Sequence, residues 1–297
     1  MEINVSRLTP GMIIEQDVLG KSGNPIIEKN TRLTETHIEF LQKFLVEKVI
    51  ITPLKNDGNT SRRNTENHLE MKQKNQLFAN EYERVVGKYK KEFLAWQYNV
   101  PFEMYRIRKM IIPLFDKAKD QSANTIFSLL PHSQTEDYFY YRSVVLGLLS
   151  VFLAKKIGYR KKDWLQIGFA ALLSDSGKAK MEQIEPRNKN RRDPYWRKHP
   201  VYSYRLVESA TTLTKRAKIA ILQHHEYLDG SGFPIRVNNK KIEPYARLIT
   251  VCDLALSVYS NDVEEIINVL DESKGKQIDL IAANSLIGEL KEVMDDK

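Results

Sequence analysis

The sequence has one cysteine, Cys252, among 297 residues, so no disulfide can form within the chain. This scarcity is typical of proteins from reducing compartments, and we expect a cytoplasmic location. The best candidate for a membrane span, residues 144–154, is followed by two lysines and is far shorter than the roughly 18 apolar residues that a spanning helix needs. Residues 1–7 lack the apolar segment of a signal peptide. We therefore expect a soluble protein with no membrane partner.

The sequence also lacks a strong excess of charge of one sign. It has 46 basic and 38 acidic residues, which gives a net charge of +8, and it is 42% apolar and 28% charged. This balance is typical of a globular protein with a mixed, solvated surface. The small positive excess favours an anionic partner, and we expect no nucleic-acid duplex among the partners.

Three segments are predicted from changes of pattern along the chain. Residues 1–54 combine short β-branched runs, turns with Gly and Pro, and a helix capped by Thr34, which predicts a small α+β module. This module is either a regulatory or dimerisation unit or a structural appendage. Residues 55–100 comprise a polar linker, with no aliphatic or aromatic side chain over 55–68, and a connecting helix. Residues 101–297 show helical patterns and no persistent strand, so the predicted fold class is mainly α.

The connecting helix carries a stripe of large apolar side chains at spacings of three and four residues. Its members are Phe78, Tyr82, Val85, Tyr89, Phe93 and Trp96. One interpretation is a face that packs against the rest of the chain. The alternative is a homodimer through residues 78–96, in which the helix transmits a signal as a short coiled coil.

Residues 223–234 read Gln-His-His-Glu-Tyr-Leu-Asp-Gly-Ser-Gly-Phe-Pro and are the first candidate for chemistry. On a helix, neighbouring side chains leave about 100° apart, so His224 and His225 share one site most easily if an ion lies between them. Imidazole and carboxylate are common ligands for transition metals. The alternative is a solvated helix end followed by a turn at Gly230. The stretches below favour the metal interpretation.

Four further stretches carry groups that could complete such a site. Asp175 ends an apolar helix beside Gly177 and Lys178, where the alternative is a simple helix cap. His199 follows a run of basic residues that is more often a solvated loop. Asp253 is embedded in an apolar helix, where an unpaired charge is costly and must find a partner. The last stretch, residues 138–144, opens a long apolar helix that includes an arginine.

In this order the five stretches resemble the HD-GYP family, a branch of the HD phosphohydrolases that degrade the second messenger cyclic di-GMP. The resemblance covers residues 100–260, and residues 8–12 also resemble a module that often precedes these domains. Phe233 stands where the family has the tyrosine of its name. The resemblance implies an all-helical HD-domain bundle of HD-GYP type preceded by the small α+β domain, and it implies metal-dependent hydrolysis of a phosphodiester.

The same resemblance assigns roles to individual residues. It implies that Asp175 and Lys178 take part in catalysis, and that Lys178 and Arg247 contact phosphate. It also places Gly230 and Gly232 in the ligand-binding turn. The implied metal ligands are Asp175, His199, His224, His225 and Asp253.

Two substitutions depart from the family. Where the family has a His-Asp pair the chain has Ser174-Asp175, and where the family has an upstream histidine it has Arg142. One implied ion would therefore lose both imidazoles, while the ligands of the other, Asp175 with three histidines, all remain. We expect one divalent ion of iron, manganese or zinc per chain, or none, with Arg142 bridging Asp175 and Asp253 in place of the second ion.

Residues 258–262 also lack the basic Arg-Pro-Tyr segment that the family usually carries there. We therefore expect a degenerate HD-GYP protein of cyclic di-GMP signalling, with weak or no phosphodiesterase activity. It would bind cyclic di-GMP, a related nucleotide or a signalling protein. The alternative is an active metal-dependent phosphodiesterase that opens cyclic di-GMP to the linear dinucleotide or GMP, because one ion can still polarise water. A third interpretation is a structural domain with relic histidines.

Overall fold

A computed structural model describes residues 2–19, 25–44, 46–52, 60–131, 136–181, 193–258 and 262–295. It divides the chain into two compact units, Met1–Lys72 and Gln73–Lys297. This division differs from the predicted limits at residues 54 and 100, because most of the helix predicted as a connector belongs to the second unit.

The first unit is a small α+β module, as predicted. Strands β1 (Glu2–Asn4) and β4 (Lys48–Ile50) pair antiparallel, as do β2 (Val18–Leu19) and β3 (Pro25–Ile27). Helix α1 (Glu35–Lys43) is capped by Thr34, whose hydroxyl accepts a hydrogen bond from the His37 N–H at 3.3 Å. The apolar side chains of these elements close a separate core. Its buried members include Ile14, Leu33, Leu41 and Val49.

The second unit is built from helices, and its described residues include no strand beyond an isolated bridge between Lys274 and Ile278, which confirms the predicted class. Its helices are α2 (Thr60–Gln97, which begins in the first unit), α3 (Met104–Ala118), α4 (Ala123–Phe127), α5 (Tyr138–Lys156), α6 (Lys161–Leu173), α7 (His199–Val207), α8 (Lys215–Gln223), α9 (Pro244–Ala255), α10 (Val263–Ser273) and α11 (Leu280–Asp295). Short 3₁₀ turns cover Ser176–Lys180, Trp196–Lys198 and Asn239–Lys241.

The prediction of a linker over residues 55–68 is partly wrong, because α2 already begins at Thr60. The linker was inferred from the lack of apolar side chains over residues 55–68. Polar residues such as Glu and Arg are nevertheless good helix formers, and once a helix has nucleated it propagates at little cost. Residues 53–59 lie outside the described part of the chain.

The apolar stripe of α2 packs inside the second unit. All six of its side chains are buried in the main core, with Phe93 and Trp96 fully inaccessible. Two of them also form hydrogen bonds: the Tyr82 hydroxyl donates to the Tyr141 carbonyl and the Tyr89 hydroxyl to the Leu172 carbonyl, both at 3.1 Å. The packing interpretation is therefore confirmed, and the stripe is not free to form the alternative homodimer face.

Helices α5 and α6 lie at the centre of the unit and are buried almost all round. The apolar run over residues 144–154 is thus a core segment, and no helix in the described residues is long and apolar enough to span a membrane. The two helices approach closely at Gly168, where a Cβ atom would lie 2.4 Å from Val151 Cγ2 and 2.7 Å from Phe115 Cε2. Only a residue without a side chain allows this contact.

We predict that Gly168→Ala lowers the free energy of unfolding by about 2–3 kcal/mol, because the added methyl group forces two packed helices apart. Gly87→Ala is the matched control, since Gly87 lies in α2 where an added Cβ atom would meet nothing within 4 Å. It should raise stability by about 0.5–1 kcal/mol through helix propensity. Urea unfolding of both variants measures the difference, and equal stabilities would contradict the packing described.

Candidate metal centre

Four buried side chains converge at one end of the bundle. Asp175 follows the end of α6, His199 opens α7, and His224 and His225 follow the last residue of α8. One ligand atom from each lies within 4.8 Å of those of the other three. Their exposed fractions are only 0–7%. The neighbouring histidines thus do share one site, rather than forming a solvated helix end.

Two of the imidazoles are held in a defined tautomer. His199 Nδ1 lies 2.8 Å from the Trp196 carbonyl oxygen, and His224 Nδ1 lies 2.8 Å from the Ile221 carbonyl oxygen. Because a carbonyl oxygen can only accept, each Nδ1 carries the hydrogen and each Nε2 presents a lone pair. The two Nε2 atoms lie 3.3 Å apart. Such backbone bonds are the usual way in which proteins orient metal-binding histidines.

The Asp175 carboxylate completes this arrangement. Its Oδ1 atom lies 3.0 Å from His199 Nε2 and 3.9 Å from His224 Nε2. Lys178 Nζ lies 2.9 Å from the same oxygen. Oδ1 is buried and none of these contacts has hydrogen-bond geometry. A carboxylate oxygen and two imidazole lone pairs facing one another without hydrogens between them are a donor set that fits a divalent cation.

The protonation states agree with that donor set. Burial lowers the pKa of His199 and lowers that of His224 to about 4, so both imidazoles are neutral at pH 7. Burial alone would raise the pKa of Asp175, but the Lys178 ammonium outweighs it and holds this pKa well below its ordinary value. Neutral imidazole and ionised carboxylate are the forms that bind metal.

Arg142 of α5 lies beside this cluster, between two carboxylates. Its Nη2 atom donates to Asp253 Oδ1 at 2.7 Å and to the Asp253 carbonyl oxygen at 3.0 Å. Its Nη1 atom lies 3.8 Å from Asp175 Oδ2. The guanidinium therefore contacts each carboxylate with one nitrogen, instead of binding one of them with both. Burial tends to lower the pKa of Arg142, but the two aspartates outweigh it and raise it, so the group stays charged.

Asp253 is outside the group of four ligands. Its Oδ2 atom lies 3.5 Å from His225 Nδ1, and its Oδ1 atom pairs with Arg142. With Asp175 and Asp253 as anions and Arg142 and Lys178 as cations, these four groups carry no net charge. The charge balance that a second ion would supply is thus already provided by Arg142.

Aromatic side chains cover the cluster, and the sequence had not indicated them. The Trp196 ring lies 4.5 Å from that of His199, and the Phe233 ring lies 4.7 Å from that of His225. Both aromatic residues are buried with Met181 in a small apolar cluster, which we call the cap. Trp196 was hidden within a stretch interpreted as a basic loop, most of which lies outside the described residues. The sequence feature that could have indicated Trp196 is an aromatic residue three positions before His199.

Comparison with known proteins agrees with this geometry. The model of a family described as "HD domain" matches residues 128–287, more than half of the chain. The chain belongs to the HD domain family. It is 28% identical over 142 residues to "Cyclic di-GMP phosphodiesterase PA4108" of Pseudomonas aeruginosa, a match that covers 46% of this chain and only 34% of that protein.

A solved structure shows the same fold. "Bd1817, a HDG"Y"P protein from Bdellovibrio bacteriovorus" superimposes with a TM-score of 0.56, at 17% identity, over 98% of this chain and 99% of that one. The predicted resemblance is therefore confirmed for the HD domain family and for the fold.

Ser174, which stands where the family has a histidine, makes two structural hydrogen bonds. Its hydroxyl donates to the Ala171 carbonyl at 2.8 Å, and its own carbonyl accepts from the Ser203 hydroxyl at 2.6 Å. The Ser203 hydroxyl in turn accepts from the Gly177 N–H at 2.7 Å. These bonds hold the segment that carries Asp175 against α7.

Glu226 and the two glycines of the HD domain's turn shape the backbone. The Glu226 carboxylate accepts from the N–H groups of Ile235, Arg236 and Val237 at 2.6–3.2 Å. A Cβ at Gly232 would lie 2.4–2.5 Å from main-chain atoms of residues 225–227. Gly230 has a φ of +80°. The turn is therefore built to place Phe233 over the histidines, and the glycines' predicted contact with ligand stays a prediction.

The hydrogen bonds of Arg247 go to backbone carbonyls before α9 and not to the metal cluster. Its Nε donates to the Ile242 carbonyl at 3.1 Å and its Nη2 to the Asn239 carbonyl at 2.5 Å. The side chain thus stabilises the turn before α9. Its expected phosphate contact stays a prediction, and of the 258–262 segment only Val258 and Asp262 are described.

We predict that Arg142→Met lowers the free energy of unfolding of the metal-free protein by about 3 kcal/mol, because it leaves Asp253 buried without its cation. Arg160→Met is the control: Arg160 is 74% exposed and its pair with Asp163 is worth about 0.5 kcal/mol. Denaturant unfolding in the presence of a chelator measures both. A loss below about 1 kcal/mol for Arg142→Met would show that the ion pair does not balance the site.

Proposed function

We propose that this chain is a single-metal HD-GYP module of cyclic di-GMP signalling that binds a nucleotide or a protein partner and hydrolyses phosphodiesters weakly or not at all. The observation that supports this most strongly is the position of Arg142. Its guanidinium is hydrogen bonded to Asp253 at 2.7 Å and reaches Asp175 at 3.8 Å, where the family resemblance implies a second ion.

The residues that fit one ion are those of the convergent cluster. Asp175, His199, His224 and His225 would hold an ion of iron, manganese or zinc, three imidazoles and a carboxylate being a suitable ligand set. Such an ion, when bound, supplies Lewis-acid polarisation of an oxygen ligand. The backbone carbonyls of Trp196 and Ile221 keep two Nε2 atoms directed at it.

Weak hydrolysis follows from what Arg142 lacks. A guanidinium can stabilise phosphate charge by hydrogen bonds, but it cannot lower the pKa of a water molecule as a metal ion does. Phosphodiester hydrolysis at a two-metal site uses both ions, one for the attacking oxygen and one for the leaving oxygen. A site with one ion and an arginine would therefore still stabilise the charge of the phosphate. It would lack one of the two ions that act on the attacking and leaving oxygens.

The cap gives a second reason. The four ligands are at most 7% exposed, since Trp196 and Phe233 lie against the imidazoles. A ligand as large as a cyclic dinucleotide reaches them only if these rings move. The cyclic di-GMP assignment is supported by the name of the Pseudomonas relative, of which this chain covers about a third.

The metal content of the purified protein tests the single-ion proposal. We expect about one ion per chain after reconstitution with Mn²⁺ or Fe²⁺, measured by inductively coupled plasma mass spectrometry. His224→Ala should lower the affinity for the ion by at least about 10²-fold, because it removes a ligand. His37→Ala, at a partly exposed histidine of the first unit, should leave the content unchanged. Two ions per chain, or none, would contradict the proposal.

Incubation with cyclic di-GMP separates the regulator from the active phosphodiesterase. We expect the wild-type protein with Mn²⁺ to produce linear dinucleotide or GMP at least about 10²-fold more slowly than the double variant Arg142→His with Ser174→His. The double variant should also bind a second ion, which is measured independently of activity. Rapid turnover by the wild-type protein would refute the proposal in favour of the enzyme.

A further inference from the structure

A cavity of about 370 Å³ lies in the second unit, and none of the four metal ligands lines it. Its walls are the loop between α2 and α3, the end of the 3₁₀ turn Ser176–Lys180, and one face of α7. The nine lining residues that the structure describes are Asn99, Val100, Pro101, Phe102, Lys180, Tyr202, Arg205, Leu206 and Ser209. The volume is at the lower end of the range of about 300–1,000 Å³ typical of small-molecule sites.

The charge of this cavity has one sign. Lys180 and Arg205 contribute two cations, and none of the nine described lining residues is acidic. Elsewhere in the unit, cations such as Lys90, Lys156 and Arg216 lie within 2.7 Å of a carboxylate oxygen. In the described part of the chain neither Lys180 nor Arg205 has such a pair. A bound anion would balance the positive charge of these walls.

The Lys180 ammonium is already fixed in position. Its Nζ donates to the Trp96 carbonyl at 2.6 Å and to the Asn99 side-chain oxygen at 2.8 Å. Both acceptors are neutral, so the positive charge is held in place but not balanced. An ammonium has three N–H donors, and the third stays available to a ligand. Little side-chain entropy remains to be lost when a ligand binds.

Two of the walls are aromatic rings that other rings support. Phe102 is half-buried and lies 5.5 Å, centroid to centroid, from the Trp96 ring. Tyr202 is half-buried and packs against the cap. With Pro101 and Leu206 they provide apolar surface for a planar group.

We propose that this cavity binds a small phosphate monoester that carries a planar ring, of the class of a nucleoside monophosphate or an aryl phosphate. The phosphate lies between Lys180 and Arg205, where charge-assisted hydrogen bonds are strong. The ring lies against Phe102 and Tyr202. This site is separate from the metal cluster and does not depend on the proposed function.

A ligand there would contact two of the three segments that carry the metal ligands. Lys180 ends the 3₁₀ turn that begins directly after Asp175, and Tyr202 lies in α7, which His199 opens. The two segments lie in close contact at Gly177, where an added Cβ atom would lie 2.2 Å from the Ser203 nitrogen. A ligand bound in the cavity would thus stabilise the backbone segments that carry Asp175 and His199.

Isothermal titration of the full-length protein with GMP, AMP and phenyl phosphate tests this site. We expect all three to bind, and guanosine and inorganic phosphate each to bind at least about tenfold more weakly, because each lacks one half of the ligand. Lys180→Met and Arg205→Gln should each weaken GMP binding about tenfold. Lys162→Met, which removes one exposed positive charge from α6, should leave it unchanged.

His224→Ala distinguishes this cavity from the metal cluster. It should weaken metal binding by at least about 10²-fold and leave GMP affinity unchanged, whereas loss of GMP binding in this variant would place the ligand at the metal and overturn the proposal. Absence of GMP binding at millimolar concentration, or wild-type affinity in Lys180→Met, would overturn it as well. Inorganic phosphate binding as tightly as GMP would refute the role of the aromatic walls.

Discussion

The ion pair between Arg142 and Asp253 is the constraint on which the rest of the site depends. Asp253 is buried and the Arg142 side chain is only 14% exposed, and a buried carboxylate without a partner is strongly destabilising. The family resemblance implies a second metal ion at this position, and we propose that the guanidinium takes its role in this chain. Because Lys178 already pairs with Asp175, the four groups are neutral together and the three imidazoles need not carry charge.

The fold holds this arrangement by attaching each ligand segment to its neighbour. The Thr250 hydroxyl of α9 donates to the His224 carbonyl at 2.9 Å, so the helix that carries Asp253 is tied to the paired histidines. On the other side, the Ser203 hydroxyl of α7 joins the segment that carries Asp175. Helix α2 adds the Tyr89 bond to Leu172, two residues before Ser174. These hydrogen bonds to backbone carbonyls therefore hold the segments of the cluster against one another.

Much of this could be predicted from the sequence. The stripe over residues 78–96 and the long apolar helices follow from periodicity, because a buried face must repeat at the helical spacing. The four convergent ligands followed from the order of the motifs and the family resemblance. The start of α2 at Thr60 did not, because helix propensity in a polar segment leaves no apolar pattern to detect.

Other features depend on tertiary contacts that no local pattern encodes. Whether the stripe of α2 faced its own chain or a second copy was open, because an apolar face is the same in both cases. The position of Trp196 over His199 required the path of a segment interpreted as a loop. Arg247 could be assigned to phosphate by resemblance, whereas its hydrogen bonds to the Asn239–Lys241 turn and Ile242 depend on where that turn lies.

The central claim is that one ion and one arginine share this site. Anomalous diffraction from crystals grown with Mn²⁺ tests it most directly, because it locates ions without reference to activity. We predict one peak, within coordination distance of Asp175, His199, His224 and His225, with the Arg142 guanidinium still on Asp253. Two peaks, or a guanidinium displaced from Asp253 by a metal ion, would contradict it.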